Sequence, residues 1–498
     1  MSSILEKITA VAETLASDKT ALSDETQQVS YSQLIQSVGD WSGVLKQLNP
    51  RVIAFYGANS VNWAIFDLAC QQAQCRCIPL PTFFSEAQVQ RCITDAGVDT
   101  VVTDFDGFAV QYLASTSKAE TVATSLPFTV IALIDSGKAL LPEATQKITF
   151  TSGSTGKPKG VCLSVEQQWQ TAQALATVID IEQPKHVCLL PLSTLLENLA
   201  GIYSPLLCGG HVVLASEEQR GLSGSSGLNV FALLACIEHH QPNTLILIPQ
   251  LLMALVAACK QGWQVPSSLS FIAVGGGKVS PDLLTQAQAC GLPIYQGYGL
   301  SECCSVVALN TPANNAINSV GHVLPHCRVV VENNEIVVSG ASFLGYMNDE
   351  GSWYPSQVRT GDLGHINDAG NLHIDGRCKN IIITSFGRNI SPEWVEAELV
   401  AGPILQQCMV VGDAKPYLTA LIGSSDSTND SEINAWVEQV NAKLPDYARV
   451  KNWLRFSTTI LSVYTTPNGR LLRAAVLAEF SSQIETLYSE SLTRINEL

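Results

Sequence analysis

The stretch between Asn229 and Ser280 constrains the fold more tightly than any other part of the chain. Asn229 is a helix-capping residue by type, and the apolar spacing of 230–240 predicts a helix behind it. Residues 244–248 (Thr-Leu-Ile-Leu-Ile) predict a buried strand, 250–259 a second helix and 269–274 a second strand. Gly275-Gly276-Gly277 then makes a turn, and another helix begins near Ser280. Repeated strand–helix units of this kind produce parallel sheets covered by helices, with ligands at the carboxyl ends of the strands. The same alternation runs through the N-terminal part, with helices at 31–48 and 60–73 and strands at 52–56 and 100–103. A short strand at 77–80 is also expected, confined by Pro79 to a sheet edge or a strand end.

At 498 residues the chain is well past the ~250–300 at which one core stops growing, so at least two domains are expected. After Val320 the pattern changes to short strand-like runs (328–332, 335–339, 365–367), which predict a small β-rich subdomain. From about Arg377 onward it becomes α+β. The fold class is therefore α/β: a large N-terminal domain of parallel-rich, helix-covered sheets with a β-rich appendage, then a small α+β C-terminal domain. The Gly/Ser run at 221–227 predicts a flexible surface loop.

A net charge of −16 argues against a general nucleic-acid binder, because phosphate backbones are held by Lys and Arg displacing counterions. A local glycine-rich loop can still hold a small anion against that charge. The fifteen cysteines are scattered without a Cys-x-x-Cys, and residues 1–20 lack a basic stretch followed by an apolar one. Free thiols, no signal peptide and a cytoplasmic location are the resulting expectations. The longest apolar run, 245–259, is interrupted by Pro249 and Gln250 and is too short to span a bilayer.

Chemistry enters with Ile148-Thr-Phe-Thr-Ser-Gly-Ser-Thr-Gly-Lys-Pro-Lys-Gly-Val161. Its glycines permit unusual backbone angles, its hydroxyls donate, and Lys157 and Lys159 are positive, a combination suited to polyphosphate. It is not a Walker A loop, since Pro158 stands where the second glycine would be. By composition it reads equally as an ordinary flexible loop. Ser154-Thr-Gly-Lys157 also fits the Ser-x-x-Lys of serine acyl-enzymes, although no Ser-Asp-Asn accompanies it.

Four further segments extend the pattern: Tyr295-Gln-Gly-Tyr-Gly-Leu-Ser-Glu302, Arg359-Thr-Gly-Asp362, Gly376-Arg-Cys-Lys-Asn-Ile381 and Pro467-Asn-Gly-Arg470. Together with the loop, and in this order, they resemble the signatures of the adenylate-forming (AMP-binding) superfamily of acyl-CoA synthetases, luciferases and peptide-synthetase adenylation domains. The resemblance implies an enzyme that uses ATP and Mg²⁺ to activate a carboxylic acid as acyl-AMP and passes it to CoA. Thr151, Ser152, Gly153, Ser154, Thr155, Gly156 and Lys157 would hold the phosphates, with Thr155, Lys159, Glu302 and Arg470 catalytic and Glu302 the Mg²⁺ ligand. Gly275, Gly276, Gly277, Tyr298, Gly299, Ser301, Asp362, Arg377 and Arg388 would complete the nucleotide site. Within it, Tyr298 would stack on adenine and Asp362 and Arg377 would take the ribose. Lys379 would be a hinge between domains 1–376 and 380–498, the latter mobile.

Two positions depart from the family pattern. Arg470 stands where the family carries a catalytic lysine; arginine keeps the charge but is longer and planar. Thr194 falls where many relatives have a histidine or aromatic guarding the carboxylate site, and nearby Glu197 reads as a local cap or ion-pair partner. His239 and His240 are expected to end a helix, where positive charge is favourable. Cys303 and Cys304 are expected to be packing residues.

The runs at 389–396 and 79–84 are closer to long-chain acyl-CoA synthetases than to aryl ligases, which points to a medium- or long-chain fatty acid. Ile202, Leu206, Val274, Cys303 and Val306 are the expected lining of its pocket. An amine or an acyl carrier protein in place of CoA would use the same ATP motifs, and Arg470 leaves room for a catalytically weak acyl- or adenylate-binding protein.

Overall fold

A computed structural model describes residues 4–16, 18–105, 107–108, 119–134, 137–151, 159–223, 227–385, 388–457, 463–465 and 471–495. Two large sheets dominate them. In the nine-stranded sheet, Ile294–Tyr298, Phe271–Val274, Thr244–Leu247, Lys185–Val187, His211–Val213 and Thr20–Ser23 run parallel side by side. Short antiparallel strands close it at both ends. The repeated units behave as their sequence predicts. Asn229 caps helix Val230–His240 by accepting from the Ala232 N–H, and Ser280 caps Pro281–Ala289. Leu245, Leu247, Ile272 and Val274 are fully or almost fully buried beneath these helices.

The eight-stranded sheet places Cys77–Leu80 between Ile53–Tyr56 and Lys147–Thr151, so this strand is internal rather than at an edge. Pro79 is tolerated because pairing with Lys147–Thr151 occurs only at Cys77. Beyond that residue the missing N–H breaks no ladder on that side. On the other side Pro79 pairs with Phe55. Around the run 221–227, Leu222–Ser223 and Gly227–Leu228 form a small antiparallel ladder.

Arg328–Glu332, Glu335–Ser339, Val358–Ile366 and Leu372–Arg377 form an antiparallel four-stranded sheet, the β-rich appendage. After it, Gln407–Val411, Leu418–Ser424 and Val450–Ser457 make a three-stranded sheet. Two hydrophobic clusters there draw all their buried members from between Ile382 and Tyr488. This C-terminal part touches the rest through Ser280 Oγ, which donates to Glu398 Oε2 at 3.1 Å, and through a Lys443–Asp282 ion pair. All fifteen cysteines are free. Among the described residues no helix is long and apolar enough to cross a membrane.

Candidate active site

Two neighbouring parallel strands deliver the site. Phe271–Val274 runs into Gly275, and Ile294–Tyr298 runs into Gly299 and Ser301, with Val274 and Gln296 in register. The Gly turn and Glu302 therefore emerge side by side beyond the carboxyl ends of the sheet, where open α/β sheets bind ligands. Gly299 is required by contact: a Cβ there would lie 1.5 Å from the Ser305 carbonyl oxygen. Gly276 has φ +80°, a left-handed conformation that favours glycine.

Glu302 accepts a hydrogen bond from Tyr346 Oη at 2.8 Å, and Lys159 Nζ lies 4.5 Å from the centroid of the Tyr346 ring. Tyr346 reaches this point because its strand, Gly345–Tyr346, pairs with Lys159–Leu163. Thr151 and Lys159 are themselves register partners, so the loop joining them starts and ends next to Glu302's partner. Burial, with the nearby Glu302 carboxylate, raises the Tyr346 phenol, keeping it a donor.

A second carboxylate is held by the strand that leads to Glu302. Asp362 is buried, and its Oδ2 accepts from Tyr298 Oη at 2.6 Å. Its Oδ1 pairs with Arg377 Nε at 2.7 Å across the Asp362–Arg377 register of the appendage. Burial and Asp362 together hold the Tyr298 phenol protonated, well above its ordinary range.

An apolar cavity lies at this corner. Gly275, Gly276, Tyr298, Gly299 and Ser301 line it on the side of the corner, together with Leu175, Ile179, Ile181 and Cys208. One wall is the helical segment that begins with the π-helix Glu197–Tyr203 and continues as Ser204–Leu207, presenting Ala200 and Ser204. After Glu302 the chain turns through two left-handed residues, Cys304 (φ 52°) and Ser305 (φ 87°), and brings Val306 back to the cavity. Such conformations carry about 1–3 kcal/mol of strain each and concentrate at functional sites.

The family model described as AMP-binding enzyme matches residues 9–342, and that of the AMP-binding enzyme C-terminal domain matches 379–492. The chain belongs to the AMP-binding enzyme family. It is 25% identical to a long-chain-fatty-acid–CoA ligase of Mycobacterium bovis, over 89% of both chains. It is 28% identical to a 2-succinylbenzoate–CoA ligase of Bacillus velezensis, over 60% of this chain and 63% of that one. The fold is also that of an anthranilate CoA ligase solved with anthranoyl-AMP, with TM-score 0.79 at 17% identity and coverage of 96% and 97%.

In this AMP-binding enzyme, then, Glu302, Lys159, Tyr298, Asp362, Arg377 and the glycines Gly275, Gly276 and Gly299 gather at one corner. Gly277 lies in the same turn, beside Pro249. Residues 152–158, with Ser152, Gly153, Ser154, Thr155, Gly156 and Lys157, lie outside the described residues, as does Arg470; of Thr151 only the backbone is described. Arg388 is placed elsewhere, with its guanidinium 5.9 Å from the Tyr447 ring centroid in the C-terminal part. Tyr346 was not singled out by any motif, because its role comes from strand pairing rather than local spacing.

The cavity lining needs correcting. Val274 and Val306 line it as expected, but Ile202, Leu206 and Cys303 are fully buried in the main core. Ala200, Ser204 and Cys208 form the wall instead, four residues apart on one helical face with Ile202 and Leu206 turned to the other. Thr194 does line the cavity. Glu197 makes no local cap or short-range ion pair; it is completely buried and meets His186 Nε2 at 3.1 Å. Cys304 is also packed in the core. His239 and His240 do end a helix, but burial lowers His240 to about 4, so near neutral pH it brings no positive charge there.

Proposed function

We propose that the protein is an ATP-dependent, AMP-forming CoA ligase for an apolar carboxylic acid, of the medium- or long-chain fatty acid class. The observation that carries this reading is that the apolar cavity opens among the residues that gather the two carboxylates, with Tyr298 belonging to both. An aliphatic tail would lie between Ala200, Leu175 and Ile179, leaving its carboxylate near Gly276 and Ser301.

Asp362 would accept from the ribose hydroxyls while Tyr298 offers its ring face to the base. Lys159 and the loop 152–158 would hold the phosphates. The residues fit Mg²⁺: Glu302 offers a single hard carboxylate, and this ion usually takes one or two carboxylates plus waters and substrate phosphates. When bound, the ion supplies charge neutralisation on the phosphates.

In the first step a carboxylate oxygen of the acid attacks the α-phosphorus of ATP. The new P–O bond forms as the bond to pyrophosphate breaks, while Lys159 and Arg470 offset the negative charge. In the second step a thiol attacks the acyl carbonyl and AMP departs. Lys379, exposed in the turn between Leu372–Arg377 and Ile382–Ile383, would be the hinge that re-aims residues 380–498 between the steps.

The test is mass spectrometry of products from ATP, Mg²⁺ and a panel of aliphatic and aromatic acids, with and without CoA. Acyl-CoA from aliphatic acids is expected, and Arg470→Lys should retain or raise the rate of pyrophosphate release. Acyl-AMP without thioester would transfer the reading to an amine or carrier-protein acceptor. Absence of any adenylate in both forms, with ATP still bound, would overturn the enzymatic reading.

A further inference from the structure

Bordering the cavity, which His186 helps to line, is a cluster to which the proposed ligase steps assign no role. We propose that His186, Cys188 and Glu197 form a binding site for a divalent cation of zinc's class, which ties the acyl-cavity helix to the central sheet.

His186 and Cys188 stand two residues apart, in the middle of and just beyond strand Lys185–Val187, so their side chains share a face. Glu197 opens the π-helix that packs over that face. One ligand atom from each lies within 4.8 Å of the others, and all three residues are buried. Nitrogen, thiolate sulfur and carboxylate oxygen are the donors zinc takes in proteins, and one thiolate with one carboxylate balances its charge.

Further features suit an ion. Glu197 Oε2 is buried with no nitrogen or oxygen partner, the Cys188 thiol being the hydrogen-bonding group next to this carboxylate, and coordination would satisfy it more fully. His186 Nδ1 meets Thr244 Oγ1 at 2.9 Å, the kind of outer bond that orients metal-binding imidazoles, and Nε2 faces Glu197 Oε1 at 3.1 Å, a contact an ion would replace. Gly201 keeps the space beside the ligands open, since a Cβ there would lie 2.8 Å from both Glu197 Oε1 and His186 Nε2. Its carbonyl oxygen accepts a hydrogen bond from Cys188 Sγ at 3.8 Å, which places that thiol against the helix. π-Helical turns are rare and occur frequently at functional sites.

The rival arrangement is a metal-free one. In it His186 Nε2 meets Glu197 Oε1 at 3.1 Å, and burial with the neighbouring Glu197 raises the Cys188 thiol, so that without an ion it stays protonated. In the proposed site the thiol proton is released as the Cys188–metal bond forms.

The experiment is elemental analysis of the full chain purified without chelator, followed by cobalt exchange and absorption spectroscopy. About one zinc per chain is expected, and the cobalt form should show a thiolate-to-metal charge-transfer band. Cys188→Ser should abolish that band, and Glu197→Gln should weaken metal affinity by about ten-fold or more. Cys290→Ser, outside the cluster, should change neither. A folded wild type that takes up neither zinc nor cobalt overturns the site, as does metal content unchanged in both Cys188→Ser and Glu197→Gln. Should those variants fail to fold, the wild-type cobalt spectrum decides alone, because a bound ion without the thiolate band also overturns it. None of these readouts depends on ligase activity.

Discussion

The carboxylate corner and the apolar cavity meet at Tyr298, yet they are held together in opposite ways. At the corner each functional group is fixed by a named polar partner: Glu302 by Tyr346, Asp362 by Tyr298 and Arg377. Along the cavity the lining side chains are mostly apolar, and their placement depends on which face of a helix turns inward. The corner should therefore respond to the identity of single atoms, and the cavity to volume.

The largest effect that would break this contrast is expected at Glu302. Glu302→Gln keeps the shape and removes the charge, and should slow pyrophosphate release by roughly 10²–10³-fold. A loss under about three-fold would show that the corner tolerates a neutral group and is not built on charge. Asp362→Ala comes next: it leaves Tyr298 and Arg377 without their shared acceptor. A rise in the KM for ATP by about 10–100-fold is expected, matching the ~1.5–3 kcal/mol of charged hydrogen bonds, with the KM for the acid nearly unchanged.

On the cavity side, Ala200→Phe should shift preference to shorter acids. Each methylene excluded is worth about 0.8 kcal/mol, or roughly four-fold in kcat/KM. Ile202→Val, two residues further along and facing the core, should leave the chain-length profile unchanged while lowering stability by about 1 kcal/mol. Equal effects on selectivity would mean that the helical phase assigned to this wall is wrong.

The last test concerns His326, whose Nε2 lies 3.1 Å from Thr171 Oγ1. Burial lowers its pKa from the ordinary 6.5 to about 4. Between those values the unfolded chain takes up a proton that the folded one refuses, so this residue's contribution to stability is lost as pH falls from about 6.5 to 4. Urea midpoints of wild type and His326→Gln should therefore converge as pH falls through that window. A constant difference would mean that His326 titrates normally.

The same contrast explains what the sequence made legible. The repeated strand–helix units were readable because apolar period and caps agree locally: 31–48 and 230–240 are helices at the expected bounds. The corner was readable because phosphate, ribose and metal require particular residue types, and these sit in short runs around Glu302, Asp362 and Arg377. Tyr346 was not, since only pairing between Gly345–Tyr346 and Lys159–Leu163 brings it to Glu302. The cavity wall was misassigned because Ile202 and Leu206 are as apolar as a lining residue should be, and composition does not reveal helical phase. His186 and Glu197 lie eleven residues apart with a turn between them, so their meeting is a product of tertiary packing.

The sharing of Tyr298 has a thermodynamic consequence. One ring lines the cavity while its hydroxyl is anchored on Asp362, so any acid that shifts the ring also perturbs the carboxylate assigned to the ribose. Under the proposed roles, the affinities for acid and ATP are linked by a single coupling factor. By reciprocity, whatever factor the acid imposes on ATP binding, ATP imposes on the acid.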